Sequence, residues 1–309
     1  MSEVLEIIKD FCYGINIPAP TSIASATSPT ELQYISILRL IGENLLSRPY
    51  QWPQLKRGYT FQTQTGVSKY QLPGDFYRIL DSSQWDVTNN WPLRGPVSDF
   101  QFTTRQFAAV SLQTRKAYRI VGPVDTINYG TPSPFLSRSQ GFIEIEPAAD
   151  NNTDELYIGY LSRQWIMPRD WKVSTAYLVD DFVTGADGRI YRCTTAGTSG
   201  ATAASIPSVT TGTQTDGTAV WGIWLGGYNL RYGLRDDDRC VFDDELMIGG
   251  MRWAYYRAKR QEYMQERTDW DQMVKNAYAR FQGPVRISMA GEDGDYFDWP
   301  NVPAGSWSV

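Results

Sequence analysis

The spacing of apolar positions shifts along the chain from helical to alternating and back to helical. Between Ser2 and Tyr13, Val4, Leu5, Ile8, Phe11 and Cys12 fall near one face, and the run stops at Gly14. That spacing predicts an amphipathic helix over 2–13 with Ser2 as its cap. A loop, "NIPAPTSIASATSPT", leads to a second predicted helix over 29–47. Ser28 followed three residues later by Glu31 is a capping box, Pro29 sits in the first turn, and Pro49 follows the end. Tyr34, Leu38, Ile41 and Leu45 form one stripe on it, while Ile35, Ile37, Leu40 and Leu46 lie elsewhere around the cylinder. A helix that is apolar on more than one side is buried on more than one side, in the core alone or also against a neighbouring subunit.

From Gln51 to Trp165 the period becomes two. "YTFQTQ", "SKYQLP", "FYRILDSSQWDV", "KAYRIVG", "GFIEIEP" and "ELYIGYLSRQW" are short β-rich runs separated by Gly, Pro, Asn and Asp. In "GFIEIEP" the alternation with Glu144 and Glu146 predicts a sheet with one wet face. The β region over 51–165 is expected to be antiparallel, a sandwich or a small mixed sheet, with no helix beyond a turn near "VSDFQFTTRQFA". Residues 170–226 continue in β pattern as a tight unit: "FVTGADGRIYRC" reads as a hairpin turning at Asp187–Gly188, and "TDGTAVWGIWL" as a last strand. So short a segment buries little area, and its core is expected to rest on Trp171, Tyr177, Phe182, Tyr191, Trp221 and Trp224.

Helical spacing returns after "DDDRCVFDDEL", where Asp243 or Asp244 can cap. Met247, Met251, Ala254, Tyr255 and Ala258 make one stripe; Trp270, Met273, Val274, Ala277 and Phe281 make a second, rotated by roughly 110° at 100° per residue. The rotation favours two helices, 244–267 and 269–282, with a break at Thr268–Asp269, over one long helix with two partners. Gly283–Pro284 is expected to end the helical part. The tail over 286–309 has no periodicity; it carries an excess of acids together with Tyr296, Phe297, Trp299, Pro300 and Trp307. Rings on an acidic arm suit either a free terminus or anchors that dock on another chain.

Composition narrows the function. The 309 residues have room for two domains or one with an insertion, and 42% hydrophobic content supports a packed core. Histidine is absent, which removes Ser-His and Cys-His nucleophile pairs and imidazole metal ligation. Cys12, Cys193 and Cys240 are far apart with no CxxC spacing, as free thiols in a reducing compartment. The net charge of −5 argues against gripping nucleic acid by phosphate neutralisation, although an acidic wall lets DNA slide past without sticking. No apolar run is long enough to span a membrane, and no basic region precedes the first apolar residues, so assembly in a cytoplasm is expected. Asp243, Asp244 and Glu245 are candidates for carboxylate-based hydrolysis, but acids at a helix start read first as caps. "DDD" at 236–238 and "EDGD" at 292–295 lack calcium-loop spacing. No catalytic residue, metal or cofactor is therefore expected.

Taken in order, "YQLPGDFYRILD" followed by Trp85, "YRIVG", "GFIEIEPAA", "LYIGYLSRQWI" and "FDDELMIGGMRWAYYRAKRQEYMQ" resemble the head-to-tail adaptor proteins of short-tailed phages, the tail tubular protein A group. The resemblance covers roughly 1–169 and 227–285. It implies a non-enzymatic virion protein of the tail or neck. Such proteins form a homo-oligomeric ring, a dodecamer in that family, below the portal protein. The ring passes the DNA channel to the tail nozzle or tube without specific DNA binding. The segment 170–226 is similar to chitin-binding-type modules through Ala176–Tyr177, Asp181–Phe182–Val183, Gly188, Tyr191 and "DGTAVW", with Asp180 where a glycine is usual.

The expected class is thus α+β: a helical core from N- and C-terminal helices, an antiparallel β domain, and a small all-β module inserted at 170–226. Ring packing would fall to Tyr34, Leu38, Ile41, Leu45, Met247, Met251, Ala254, Tyr255 and Ala258, aided by the small Gly249 and Gly250, and portal docking to the arm. The inserted unit would decorate the rim and brace a nozzle, tail fibre or neighbouring copy. An alternative is a tail-associated receptor-binding protein that stacks bacterial glycans on Tyr191, Trp221 and Trp224.

Overall fold

The computed structural model describes residues 2–24, 26–107, 115–122, 141–185, 189–202, 207–208, 212–224 and 235–281. Over these the chain is α+β, with helices α1 (Val4–Gly14), α2 (Pro29–Ser47), α3 (Asp99–Phe107), α4 (Asp244–Ala258) and α5 (Met264–Phe281) and several antiparallel sheets.

Helices α1, α2, α4 and α5, far apart in sequence, feed one hydrophobic cluster that includes Ile8, Phe11, Leu38, Ile41, Met251 and Val274. The capping box of α2 forms: the Glu31 amide donates to Ser28 Oγ at 3.2 Å and the Ser28 amide to Glu31 Oε2 at 3.4 Å. Ser2 does not cap α1; Glu3 holds that position, and the Ser2 hydroxyl donates to Asp244 instead, tying the start of α1 to the start of α4. Two glycines allow backbones to approach. A Cβ on Gly42 would lie 2.2 Å from the Trp165 indole, and one on Gly250 would lie 2.5 Å from Ile41. So α2 is crossed by Trp165 on one side and by α4 on another, which is why it is apolar on more than one face.

The break between the last two helices is present but lies earlier than Thr268–Asp269, so the expected spans 244–267 and 269–282 need correction. α4 ends at Ala258, Arg260 turns with φ 57°, and α5 begins at Met264. Thr268 sits inside α5 and returns its hydroxyl to the Met264 carbonyl at 2.9 Å, the back-bond of a mid-helix threonine rather than a cap. The turn lays α5 back along α4, with Trp270 Nε1 donating to the Leu246 carbonyl at 2.8 Å and Trp253 against Trp270.

The β region contains β1 (Lys56–Gln62), β2 (Lys69–Gln71), β3 (Phe76–Ile79), β4 (Trp85–Asp86), β5 (Trp91–Pro92), β6 (Ala117–Val121), β7 (Phe142–Glu146) and β8 (Glu155–Ser162). β8 is the spine of the first sheet. It pairs along its length with β1, Lys56 opposite Leu161 to Gln62 opposite Glu155, and its other edge takes β3 and β4. β2, β7 and β6 form the second sheet. Ile143, Ile145 and Tyr118 from one sheet meet Leu156, Ile158 and Tyr160 from the other in a shared core. The far face of β6 and β7 is not wet as expected, because α3 covers part of it. Glu144 is buried and paired with Arg119 at 2.7 Å, and the same guanidinium lies 4.3 Å above the ring of Phe102.

The remaining strands are β9 (Ile166–Met167), β10 (Ala176–Tyr177), β11 (Phe182–Thr184), β12 (Ile190–Thr195), β13 (Gly197–Thr198), β14 (Thr213–Asp216), β15 (Ala219–Ile223) and β16 (Arg239–Cys240). Between β9 and β16, which pair with each other, lie a four-stranded sheet in the order β11-β12-β15-β14 and the ribbon β10-β13. They enclose their own cluster around Tyr177, Tyr191 and Trp221. Phe182 and Ile190 belong instead to the helical cluster, so one face of this sheet is packed against the body.

Two charge and packing features carry stability predictions. The Lys116 ammonium reaches Asp86 at 2.7 Å and Asp154 at 2.5 Å, all three nearly buried. Burial alone would lower Lys116, but its hydrogen bonds to Asp154 and Asp86 outweigh it and raise it; burial likewise opposes Asp154, yet Lys116 and Asn151 hold that carboxyl below its usual range. A carboxylate depressed in the folded state contributes stability above its unfolded value near ~4, and that stability is lost as pH falls through the folded value. Lys116→Met is expected to cost about 3–5 kcal/mol at neutral pH by stranding two carboxylates. The deficit against wild type should shrink toward pH 4 as Asp154, no longer held down by Lys116, takes up a proton; a gap that stays constant in urea unfolding would refute the clamp. Gly42→Ala is expected to cost about 1–3 kcal/mol by forcing Trp165 aside, read as a lower unfolding midpoint with an unchanged slope; full stability would mean the indole moves freely.

Candidate functional site

The "DDD" run at 236–238 folds into a structural junction. Asp236 accepts the Ile23 and Ala24 amides at 2.6 and 3.0 Å. Asp237 faces Lys172 at 3.3 Å and Arg169 at 3.9 Å. Asp238, fully buried, accepts the Arg169 amide at 3.3 Å and the Arg235 amide at 3.0 Å, bridging the two chain segments that flank the β9–β16 pair. Asp181, immediately before β11, is buried and takes Arg169 at 3.2 Å, Arg235, and the Leu178 amide at 3.0 Å. Deeper inside, buried Asp216 accepts both indoles, Trp171 Nε1 at 2.7 Å and Trp221 Nε1 at 3.0 Å, and the Gly200 amide at 2.6 Å. Each carboxylate is matched by donors, the condition for burying charge.

The rings expected to stack on glycans are not available. Tyr191 and Trp221 are fully buried in the cluster that fills the segment, with Trp221 edge-on to Tyr177. Only Trp224 is half-exposed, held against Phe182 and beneath Arg192. The ring-packing stripe is corrected in the same sense. Tyr34, Leu38, Ile41, Leu45, Met247, Met251 and Ala254 are buried within the chain's own helical core; Tyr255 is half-buried beside Phe11, and Ala258 is exposed. Gly250 likewise serves packing of α4 on α2. The outward helical faces carry Leu32, Leu40 and Met264 instead. The expected arm with Tyr296, Phe297, Trp299, Pro300 and Trp307, the turn at Asp187–Gly188 and the boundary at 226–227 lie outside the described residues.

Asp243, Asp244 and Glu245 line an open recess of about 490 Å³ with Gln54 and Arg280; Asp243 occupies the first position before α4 without a side-chain capping bond. Among the described residues no group of three His, Cys, Asp or Glu is placed to hold a metal. All three cysteines are buried and free, and burial pushes Cys12 up to about 11 and Cys240 to about 12, so both remain neutral thiols at physiological pH. No described helix is long and apolar enough to cross a membrane.

A surface that the sequence reading overlooked lies on α3. Phe100 and Phe107 are 81% and 76% exposed, and with Thr104 they line one outward face at i, i+4, i+7. Beside them a recess of about 230 Å³ is lined by Arg94, Val97, Phe100, Gln101, Thr104 and Arg105. Arg105 Nη1 is buried without a hydrogen-bond partner among the described residues. Burial first, and then the charge of Arg94, lower the Arg105 guanidinium from its usual value. The signal was available: "SDFQ" at 98–101 is a Ser-x-x-Gln start, and the Gln101 amide donates to Ser98 Oγ at 3.3 Å.

No family model matches the chain, and no curated protein matches it.

Asp181→Ala is expected to leave Arg169 and Arg235 without their shared carboxylate and to cost about 3–5 kcal/mol. Amide hydrogen exchange should accelerate over β11 and β12 while β1 and β8 stay protected; uniform exchange across both regions would mean that Asp181 does not anchor this segment.

Proposed function

We propose that the chain is a structural virion protein, a ring-forming adaptor that joins the portal to the tail nozzle of a short-tailed phage and continues the DNA channel. The single observation that supports this most is the way distant parts of the sequence fold together. Helices from the first fifty residues and from beyond Asp244 share one core, the arrangement expected of a wedge whose two ends must act as one rigid body. In this reading 1–169 and 227–285 are a discontinuous adaptor core and 170–226 is an inserted module, joined through the β9–β16 stem and packed on the core by Phe182 and Ile190. Copies close a ring, a dodecamer by the family resemblance, through outward helical faces that bear Leu32 and Leu40 on α2 and Met264 on α5, rather than through the internal stripe. Repeated weak contacts around a closed ring sum to a stable assembly. The protein is non-enzymatic and needs no cofactor; DNA passes an acidic wall without being gripped. Portal, nozzle or tube protein and, through the module, tail fibres are its partners.

The test is mass and shape. Light scattering and negative-stain imaging of the purified protein, alone and mixed with portal rings, are expected to show closed rings or a layer added to the portal. A strict monomer that leaves portal mass unaltered sinks the proposal.

A further inference from the structure

We propose that the outer face of α3, with the Arg94–Arg105 recess beside it, receives the acidic, aromatic segment 292–299 of a second copy of this chain. The receptor side is cationic and apolar at once. Arg94 and Arg105 both line a recess whose lining contains no carboxylate; Glu146, outside that lining, acts on the Arg105 charge without bonding it, and one buried Arg105 nitrogen has no acceptor among the described residues. A buried donor left unpaired is costly, so an arriving carboxylate oxygen gains a charge-assisted bond and relieves a penalty already present. Next to it, two largely exposed phenylalanines on a nine-residue helix form an apolar strip that no described residue covers.

The ligand side is the complement. "EDGDYFDW", Glu292 to Trp299, brings Glu292, Asp293, Asp295 and Asp298 together with Tyr296, Phe297 and Trp299, and no cation. Carboxylates spaced among rings suit arginines spaced among rings, with the aromatic residues as anchors and the charges setting register. Reach is sufficient: the 18 residues from Gln282 to Trp299 (299 − 281) can span up to about 60 Å when extended. The inference rests on the ring reading for the presence of a neighbour, not for the chemistry of the contact. It gives the arm a receptor other than the portal.

The experiment titrates a fluorescein-labelled wild-type peptide of residues 290–301 with the full-length chain carrying Asp293→Asn, Asp295→Asn and Trp299→Ala, whose own arm no longer competes for the recess, and follows anisotropy. Saturable binding is expected, weakened roughly tenfold or more by Arg94→Glu with Arg105→Glu and by added salt. The same reversed chain is expected to bind a peptide carrying Asp293→Lys and Asp295→Lys. Should the reversed chain fail to fold, the peptide alone still decides: its Asp-to-Asn and Trp299→Ala forms must lose binding to the arm-substituted chain. The inference is overturned by absence of binding at millimolar peptide, the effective concentration that a chain's own tethered tail would impose. Binding indifferent to charge, or binding to portal rings and not to this chain, overturns it equally. Light scattering on the unsubstituted chain separates the two ideas. A monomer that binds the peptide in this charge-dependent way sinks only the ring, and a ring that ignores the peptide sinks only the docking.

Discussion

The fold depends on burying carboxylates at the junction where the chain leaves the body and returns. β9 and β16 contribute two residues each, Ile166 opposite Cys240 and Met167 opposite Arg239, far too little backbone pairing to fix a sheet by itself. The rigidity comes from Asp181 and Asp238. One gathers Arg169 and Arg235 from the two sides of the stem; the other gathers the amides of the same two residues. A buried ion pair adds little net stability over an apolar one, but removing one member is severe. Its value here is geometric: the pairs hold the β segment in the orientation in which all four donors are met.

Packing continues that constraint inward. The Trp165 indole that starts the stem lies across Gly42 of α2, and the Val241 amide donates to the Trp165 carbonyl at 3.0 Å. From there Phe242 meets Trp52, whose Nε1 bonds the Leu45 carbonyl at the end of α2, and Trp52 meets Tyr278 of α5. Displacing the stem therefore disturbs the helical core through contacts that have no slack, since interiors packed at this density transmit strain. Phe182 and Ile190 close the same path from the β segment.

These facts explain what was legible in the sequence. The α2 capping box, the alternating strands and the existence of a break before α5 are local signals, and each appears. Thr268 misled because its hydroxyl has two local uses, cap and back-bond, that one sequence does not distinguish. The Glu144 and Glu146 alternation suggested a wet face because the helix that covers it was missed. Tyr191 and Trp221 belong to residue types that serve equally as core and as stacking platform; burial, not identity, separates the two uses. The carboxylates of the junction were visible, but the partners that tie Asp236 to Ile23, Asp237 to Lys172 and Asp238 to Arg169 are distant in sequence, and spacing carries no information about them.

The same long-range pairing explains why α3 stands out. On a chain of net charge −5, cations are drawn to internal carboxylates: Arg48 pairs with Asp271, Arg57 with Asp75, Arg119 with Glu144, Arg169 and Arg235 with Asp181, Arg192 with Asp180, Arg239 with Asp170. Among the described residues Arg94 has no carboxylate within ion-pair distance, and Arg105 beside it feels the Glu146 charge without forming an ion pair. A positive recess beside an apolar strip focuses field lines and draws acidic segments toward it.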